Sequence, residues 1–471
     1  MILLFLVYFI LAVLIVLVIT YFIYKNKIQF NFSINIQSDL KDKDTEHEKM
    51  KELGISKKDG KLYSEEIKEV EENWNFCFES LKNVSRSFNI VIKQLDDETM
   101  KVVCIFYLVL RGLDTIEDDM SIPIEDKKQL LLHFHNDIEN IHYSVEYGDK
   151  PEYRILMKNF YKVNRSYKQL HSNYRDVIKN ITNEMAKGMV EFLDKSSIDT
   201  ITEYDSYCHY VAGLVGIGLS KIFTLSGLEF NDLTKYEKLS NSMGLFLQKT
   251  NIIRDVKEDY DEKRYWWPKD IISKHFVNIH HIFGNESVDG EQDIKKIHQE
   301  NIITEKHTHL LNEMIMNALE HIPDSIEYLS HVKNNSNFKF CAIPQVVAVQ
   351  TLATLFHNQN VFKKTEKLNK TTLAKIFMDV SDMNSVLQFY IDAVEKIENK
   401  ISNSTCLYLS EVNSKQYYDQ LDKIKAFIMK YIIEHSKKPV TNISLIKVKK
   451  SIISTFISLF QKNVLYPLSN M

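Results

Sequence analysis

The sequence contains few of the two residues that end helices and form turns. Only 12 glycines and 7 prolines occur among its 471 residues, whereas these two residues together make up roughly 12% of an average protein. Because glycine and proline divide a chain into short segments, their scarcity excludes a β-sandwich or barrel and favours long helices joined by few loops. Hydrophobic residues make up 44% of the chain, which is enough for a substantial core.

Cysteines are also few, and the chain has no excess of positive charge. The five cysteines are scattered, none forms a C-x-x-C pair and their number is odd, which argues against a zinc site and against a disulfide framework. A reducing, cytosol-facing environment is the simplest interpretation. The formal net charge of -4 provides no basic surface, so nucleic acid is not an expected partner.

The first 24 residues contain no charged side chain and are almost wholly apolar. At about 1.5 Å of rise per residue, such a helix can cross a hydrocarbon core of roughly 30 Å. We therefore predict an N-terminal transmembrane helix over residues 1–24. A cleaved signal peptide is the alternative, but no basic region precedes the run and no small-residue cleavage site stands out. Lys25 and Lys27 follow directly, so the positive-inside rule predicts that the rest of the chain faces the cytosol.

The composition divides the rest of the chain into three parts. Residues 25–65 are rich in charged and small polar residues and predict a linker that is partly helical near its end. Residues 66–436 have apolar residues at helical spacing and form the predicted globular domain. Residues 437–471 form a tail that either packs on the core, which we favour, or lies on a membrane surface. The prolines expected to mark helix boundaries are Pro123, Pro151, Pro268, Pro323, Pro344 and Pro439.

An acidic helix face is predicted near residue 114. Residues spaced four, three and four apart share one stripe of a helix, which here contains Tyr107, Arg111, Asp114 and Asp118. Glu117 borders this stripe. Carboxylates on one face repel each other by roughly 0.2–0.5 kcal/mol per exposed pair, and more when buried, so a cation should compensate them. Mg2+ often bridges one or two carboxylates to substrate phosphates, and a nearby arginine suits a phosphate oxygen. A solvated acidic helix end is the alternative interpretation.

A second acidic face follows about 140 residues later. Its members are Gln248, Asn251, Asp255 and Asp259, with Arg254 beside them. Buried Asp and Asn are rarely tolerated without partners. Facing helices of a bundle can combine inward-pointing ligands into one site. We therefore expect the two acidic faces to oppose each other.

Residues 207–220, between the two faces, are apolar and rich in small side chains. Each of three glycines would cost a helix about 1 kcal/mol relative to alanine, so we expect another group to approach closely. One face, predicted to line a groove for an apolar substrate tail, contains Tyr207, Val211, Leu214 and Gly218. Core packing is the alternative for the tyrosines, and His209 is expected to be structural.

Several long segments match one family in order along the chain. Over roughly residues 73–397 the chain resembles squalene synthase, also called farnesyl-diphosphate farnesyltransferase. The matching segments are 85–88, 103–120, 207–220, 241–255, 264–268 and 340–345. The resemblance implies a single all-α isoprenoid-synthase bundle around a central cavity. There, two farnesyl diphosphates would condense head to head into presqualene diphosphate, which NADPH would reduce to squalene.

The resemblance also implies roles for individual residues. The expected Mg2+ ligands are Asp114, Glu117 and Asp118 in the first cluster and Asp255 and Asp259 in the second. Tyr207 matches the tyrosine of the first half-reaction, and Phe340 matches an aromatic residue of the second-step pocket. The residues expected to contact diphosphate or cofactor are Arg86, Arg111, Asn251, Arg254 and Lys367.

Two departures from the family pattern matter. The family usually carries its hydrophobic anchor at the C-terminus, whereas here the convincing span is N-terminal. Lys363, Lys367 and Lys370 match basic positions of a cofactor loop, but Asn369 stands where an arginine is common, so NADH is possible beside NADPH. We expect a monomeric catalytic domain anchored at the endoplasmic reticulum membrane. The alternatives are a phytoene- or dehydrosqualene-type synthase, which needs no reductant, and a catalytically silent membrane scaffold.

Overall fold

The computed structural model describes residues 57–85, 88–195, 197–284, 305–402 and 411–435. The chain divides into two units, 1–73 and 74–471. The predicted anchor, most of the predicted linker, the predicted tail and Arg86 all lie outside the described residues. Every regular element within the described ranges is a helix, as the scarcity of turn residues predicts.

The helices of the described residues differ widely in length. In chain order they are α1 (Lys57–Val84), α2 (Phe88–Ile92), α3 (Asp97–Asp118), α4 (Ile124–Asp137), α5 (Pro151–Lys158), α6 (Phe160–Gln169), α7 (Ser172–Leu193), α8 (Ile201–Cys208), α9 (Leu214–Leu225), α10 (Glu237–Arg254), α11 (Val256–Asp261), α12 (Lys269–Ile272), α13 (Ile279–Ile282), α14 (Glu305–Leu319), α15 (Ile322–His331), α16 (Asn335–Leu355), α17 (Lys370–Asp379), α18 (Met383–Ser402) and α19 (Glu411–His435). A π-helical turn (His209–Gly213) joins α8 to α9, and 3-10 turns occupy Leu233–Tyr236 and Gln359–Phe362. Helix α1 begins at Lys57, within the segment predicted as a linker.

Helices α3, α9 and α10 form the part of the core that positions the site. The consecutive residues Cys104, Ile105 and Phe106 of α3 are all fully or almost fully buried, as expected of a helix that is covered on every side. Helix α9 packs against both α3 and α10, and α10 also packs against α14, α15 and α16. The two helices predicted to carry the acidic faces therefore both pack against one apolar helix.

Glycines allow α10 to approach α9 and the π-helical turn closely. A Cβ added to Gly216 would lie 2.4 Å from the carbonyl oxygen of Ser240. A Cβ added to Gly244 would lie 2.4 Å from the carbonyl oxygen of Ala212. The predicted close approach is therefore confirmed, and the approaching group is the backbone of the neighbouring helix.

The predicted groove face on this segment is partly wrong. Leu214 is buried, and a Cβ on Gly218 would lie 2.8 Å from Phe106 Cζ, so neither position faces open space. Val211 is partly accessible, as predicted, and so are Val215 and Leu219, which lie outside the predicted face. The physical reason is the π-helical turn, because its extra residue breaks the regular spacing from which the face was predicted.

Most of the described prolines stand where helices begin. Pro151 is the first residue of α5, and Pro123 and Pro268 immediately precede α4 and α12. Pro323 lies in the first turn of α15. Pro344, however, lies inside α16, so the boundary predicted there is wrong. An interior proline costs a helix about 3 kcal/mol, and the deep burial of α16 in the core offsets that cost.

Two helical stretches of the described residues are long and apolar enough to cross a membrane, Ile201–Leu225 and Asn335–Leu355. Both pack within the bundle, the first against α3, α7 and α10 and the second against α10 and α18. Their apolar character is therefore explained by core packing.

Candidate active site

The first carboxylate cluster lies at the C-terminal end of α3. Arg111 Nη1 lies 3.5 Å from Asp114 Oδ2, and Arg111 Nη2 donates a hydrogen bond of 3.5 Å to the Tyr107 hydroxyl. Asp114 keeps 31% of its side-chain surface exposed and Asp118 keeps 34%. The stripe predicted from helical spacing is therefore present, and its carboxylates remain accessible.

Burial changes the protonation of this cluster. Desolvation, followed by the negative charges of Asp118 and Asp114, raises the pKa of Glu117 to about 8. Desolvation raises the pKa of Asp114 to about 6, although Arg111 opposes the change. These carboxylates hold protons at a pH where ordinary carboxylates are ionised, because desolvation disfavours their charged forms. A bound divalent cation would offset that cost.

The end of α3 is fixed by contacts that the sequence did not reveal. Lys127 is buried and donates a hydrogen bond of 2.5 Å to the backbone carbonyl of Glu117, one of the carbonyls left free at the helix end. Asp119 accepts hydrogen bonds from the backbone amides of Ser121 at 2.9 Å and Gly148 at 2.7 Å. The chain after α3 is therefore tied down, and the neighbouring cluster residues are held in place.

The second cluster stands at a break between two helices. Helix α10 ends at Arg254 and α11 begins at Val256, with Asp255 between them at φ -101° and ψ 11°. The Arg254 guanidinium grips the Asp255 carboxylate with two hydrogen bonds, one of them 2.9 Å from Nε to Oδ1. Desolvation raises the pKa of Asp259, one turn further on, to about 6. Asn251, one turn before Asp255, has an exposed side chain.

The two clusters meet through Arg264. Its Nη1 donates a hydrogen bond of 2.9 Å to Asp118 Oδ1, and its Nη2 donates one of 2.9 Å to Asp259 Oδ1. Asp118 and Asp259 thus lie on opposite sides of one guanidinium, although they are far apart in sequence. The prediction that the two acidic faces oppose each other is confirmed by this geometry.

Tyr207 lies beside the first cluster. Its ring stacks on Trp266 with 4.1 Å between centroids and contacts Phe192 edge to face at 5.3 Å. Desolvation and the nearby charge of Glu117 hold the pKa of its phenol well above the usual value. The phenol therefore keeps its proton at neutral pH and can donate a hydrogen bond.

Neighbouring contacts hold the helix that carries Tyr207. Lys249 of α10 is buried, and its Nζ lies 2.6 Å from Asp205 Oδ1 on α8 and 2.8 Å from Asn317 Oδ1 on α14. His209 Nδ1 lies 2.6 Å from Asn241 Oδ1. His209 therefore has the structural role expected from the sequence, and the tyrosine helix is fixed to α10.

The remaining predicted site residues lie on other elements. Phe340 of α16 is buried and contacts Phe223 of α9 edge to face at 5.8 Å. Lys367 is exposed in the connection before α17. That connection contacts α11, because Thr365 Oγ1 donates a hydrogen bond of 3.1 Å to Glu258 Oε2. Asn369, which replaces the common arginine, caps α17 by accepting from the Thr372 amide at 2.8 Å.

Sequence reasoning missed two cations at this site, Arg264 and Lys127. Arg264 lies in a segment that resembles the family, but no spacing rule connects it to Asp118. Lys127 acts through a backbone carbonyl, and such a contact leaves no signal in the side-chain pattern. Neither residue could be assigned before the packing was known.

The donor set fits Mg2+ when a diphosphate is bound with it. Among the described residues, no group of three or more His, Cys, Asp or Glu side chains is arranged to hold a metal alone. Mg2+ usually takes one or two carboxylates and completes its shell with water and substrate phosphates. Five predicted carboxylate ligands lie beside three guanidiniums and Lys127, so the acidic groups of the two clusters outnumber the basic ones.

Comparison with known proteins agrees with this geometry. The family model of squalene/phytoene synthase matches residues 81–372. Squalene synthase 1 of Arabidopsis thaliana is 42% identical over 338 residues, which are 71% of this chain and 78% of that protein. Squalene synthase 1 of Panax ginseng is 43% identical over 337 residues, 71% of this chain and 76% of that protein. A solved complex of TcSQS with a ligand has a TM-score of 0.69 at 36% identity, covering 76% of this chain and 99% of that chain. The chain therefore has the all-helical isoprenoid-synthase fold and belongs to the squalene/phytoene synthase family.

Proposed function

We propose that this chain is a squalene synthase, a farnesyl-diphosphate farnesyltransferase. It condenses two farnesyl diphosphates head to head into presqualene diphosphate, and then reduces that intermediate with NADPH to squalene for sterol biosynthesis. The squalene synthases that are 42–43% identical support this function. The structural observation that carries it is the opposition of Asp118 and Asp259 across one guanidinium.

The carboxylates of both clusters hold Mg2+ on the diphosphates of the substrates. Asp114, Glu117 and Asp118 act from α3, and Asp255 and Asp259 act from the helix break. When bound, Mg2+ neutralises the negative charge that develops on the leaving diphosphate. The raised pKa values of Glu117 and Asp259 support this role, because desolvation disfavours their charged forms and a bound metal would offset that cost.

Tyr207 acts in the first half-reaction as a group that keeps its proton. Because burial holds its pKa well above the usual value, the phenol does not serve as a base. It donates a hydrogen bond that positions the released diphosphate, and the diphosphate accepts the proton lost from the substrate. Its stacking on Trp266 fixes the direction of the hydroxyl and excludes water from that side.

The second half-reaction takes place near Phe340. Its buried ring offers a π-face that stabilises a carbocation electrostatically. NADPH supplies the hydride, and Arg86, Arg111, Asn251, Arg254 and Lys367 contact its phosphates or those of the substrate. Because the uncharged Asn369 stands where an arginine is common, and caps a helix instead, one positive contact is missing and NADH can replace NADPH.

The full chain acts at a membrane. Residues 1–24 anchor it by a single N-terminal span, and the catalytic domain of residues 66–436 faces the cytosol as a monomer. The support comes from the uncharged apolar run and from Lys25 and Lys27 directly after it. A hydrocarbon product and a sterol pathway make the endoplasmic reticulum the expected membrane.

Product analysis tests the function. The full chain, purified in detergent, is incubated with farnesyl diphosphate and Mg2+, with and without NADPH. We expect presqualene diphosphate to accumulate without NADPH and squalene to form with it, and we expect a chelator to stop both reactions. The same final hydrocarbon with and without NADPH would identify a phytoene- or dehydrosqualene-type synthase. No release of pyrophosphate under any condition would identify a silent scaffold.

A further inference from the structure

Arg264 is placed by the way in which helix α11 ends. Lys263 has a left-handed backbone, with φ 60°. The amide of Lys263 donates to the Tyr260 carbonyl at 3.0 Å, and the amide of Arg264 donates to the Asp259 carbonyl at 2.8 Å. This pair of hydrogen bonds is a Schellman motif, which turns the chain back over the helix it ends. The turn brings the Arg264 side chain back onto Asp259 of its own helix.

The pairing pattern of the site distinguishes Arg264 from the other two arginines. Arg111 pairs with Asp114 inside the first cluster, and Arg254 pairs with Asp255 inside the second. Arg264 instead joins the clusters, through Asp118 and Asp259. It therefore occupies the space between two carboxylates that a shared cation would occupy.

The guanidinium retains capacity for another acceptor. Its Nε is buried and has no hydrogen-bond partner among the described residues. Its Nη2 also lies 2.6 Å from Glu262 Oε2, a carboxylate outside the two predicted ligand sets. A planar guanidinium with five donors recognises a phosphate group as readily as a carboxylate. Arg264 is therefore equipped to exchange its carboxylate partners for a diphosphate.

We propose that Arg264 is a built-in counter-cation. In the free protein it holds Asp118 and Asp259 at a fixed spacing and compensates part of their negative charge. When these carboxylates take up the metal, its hydrogen bonds pass to the diphosphate. This inference rests on the proposed function, because it assumes that a metal diphosphate binds between the clusters. It assigns to Arg264 a positioning role before binding and a substrate contact after binding.

The positioning role and the substrate contact predict opposite changes in the affinities for metal and for pyrophosphate. In Arg264→Gln, Mn2+ alone, a spectroscopically visible stand-in for Mg2+, should bind about tenfold more tightly, because a competing charge-assisted interaction is removed. Inorganic pyrophosphate at saturating Mn2+ should bind about tenfold more weakly, because a phosphate donor is lost. Both affinities are measured on the full chain in detergent, by electron paramagnetic resonance for Mn2+ and by calorimetry for pyrophosphate.

Two further variants serve as matched comparisons. Arg264→Lys keeps the positive charge but loses the planar, forked arrangement of donors. The affinities for Mn2+ and for pyrophosphate should therefore change in the same directions as in Arg264→Gln, by smaller factors. If Arg264→Gln does not unfold cooperatively by circular dichroism, Arg264→Lys decides the question. Glu262 contacts the same guanidinium but lies outside the two clusters. Glu262→Gln should therefore change each affinity by less than about twofold.

The outcomes separate this inference from the proposed function. Opposite shifts in the two affinities support the counter-cation role. Unchanged affinities, or affinities that both weaken, overturn it, because a merely structural arginine would loosen metal and pyrophosphate sites together. If the unaltered chain binds no pyrophosphate in the presence of Mn2+, the proposed function itself is wrong.

Discussion

The two carboxylate clusters carry the same chemical groups on differently built supports. Asp114 and Glu117 belong to one continuous helix, α3, whose preceding turns are mostly buried. Asp255 stands between two helices, where its backbone leaves the helical conformation. In the first cluster burial raises the pKa of Asp114 to about 6 and that of Glu117 to about 8. In the second, an adjacent arginine grips Asp255 with two hydrogen bonds.

This difference shows two ways to prepare a carboxylate for a metal. Desolvation disfavours the charged form of Glu117, so a cation that binds there relieves an existing cost. The charge of Asp255 is already balanced by Arg254, so a metal must compete with a guanidinium or share the carboxylate with it. Variants in matched positions should therefore respond differently in stability even where they respond alike in catalysis.

The largest expected effect is on catalysis and is the same in both clusters. Asp114→Asn and Asp255→Asn each remove one charged ligand from the metal site. Metal stabilisation of a leaving group contributes several kcal/mol, so each variant should release pyrophosphate from farnesyl diphosphate on the order of a hundredfold more slowly or worse. The rate is measured at saturating Mg2+. Unimpaired turnover in either variant would contradict the proposed metal site.

The same two variants should differ in the sign of their effect on metal-free stability. Asp114→Asn should raise the melting temperature in a chelator, because the neutral amide resembles the protonated form that burial favours. Asp255→Asn should lower it, because Arg254 loses its charged partner. Thermal unfolding at pH 8 measures the melting temperatures of both variants. Shifts of the same sign would show that the clusters are not prepared differently.

Glycines on the two supporting helices offer a second comparison. A Cβ at Gly244 of α10 would meet the carbonyl oxygen of Ala212 at 2.4 Å, whereas a Cβ at Gly112 of α3 would meet the ring of Phe160 at 2.6 Å. A ring can shift more easily than a helix backbone. We expect Gly244→Ala to cost about 3 kcal/mol and Gly112→Ala about 1 kcal/mol in denaturant unfolding. A larger loss at Gly112 would contradict the backbone argument.

The pH dependence of metal-free stability should separate Glu117 from Asp259. Glu117 binds a proton below about pH 8 in the folded protein but only below about 4.5 when unfolded. Between these values the folded state holds more protons, so stability falls as the pH rises from about 4.5 to about 8. Glu117→Gln should flatten the melting temperature between pH 6 and 8. Asp259→Asn should flatten it only below about pH 6, where Asp259 titrates.

The smallest expected effect is at the end of α11. Lys263 adopts φ 60°, a conformation that glycine adopts without strain. Lys263→Gly should therefore stabilise the protein by at most about 1 kcal/mol. Lys263→Ala, which keeps the strained conformation, should give no such gain and serves as the control. A gain in both variants would mean that the lysine side chain, and not its backbone, is unfavourable.

Much of the candidate site follows from helical spacing alone. The stripe that contains Arg111 and Asp114 requires only that residues three and four apart share a helix face. The opposition of two such faces follows from the need to neutralise them together. The same rule failed between Tyr207 and Gly218, because the π-helical turn inserts an additional residue that local spacing does not reveal.

Other features depended on packing and could not be predicted. Pro344 has a low propensity for any helix interior, yet α16 continues through it because its flanks are deeply buried. Lys127 is a buried lysine whose partner is a backbone carbonyl ten residues earlier. Propensity rules describe the isolated chain, and tertiary contacts worth several kcal/mol override them.

By itself, the sequence determined that this protein is helical, that it carries two acidic helix faces and that it resembles a prenyl-diphosphate enzyme. These properties depend on composition and on spacings of three or four residues, which backbone geometry fixes. Only the tertiary structure decided that Arg264 bridges Asp118 and Asp259, and that burial raises the pKa of Glu117 to about 8. Such facts depend on which distant groups approach one another and on how much water they exclude, and no local spacing encodes either.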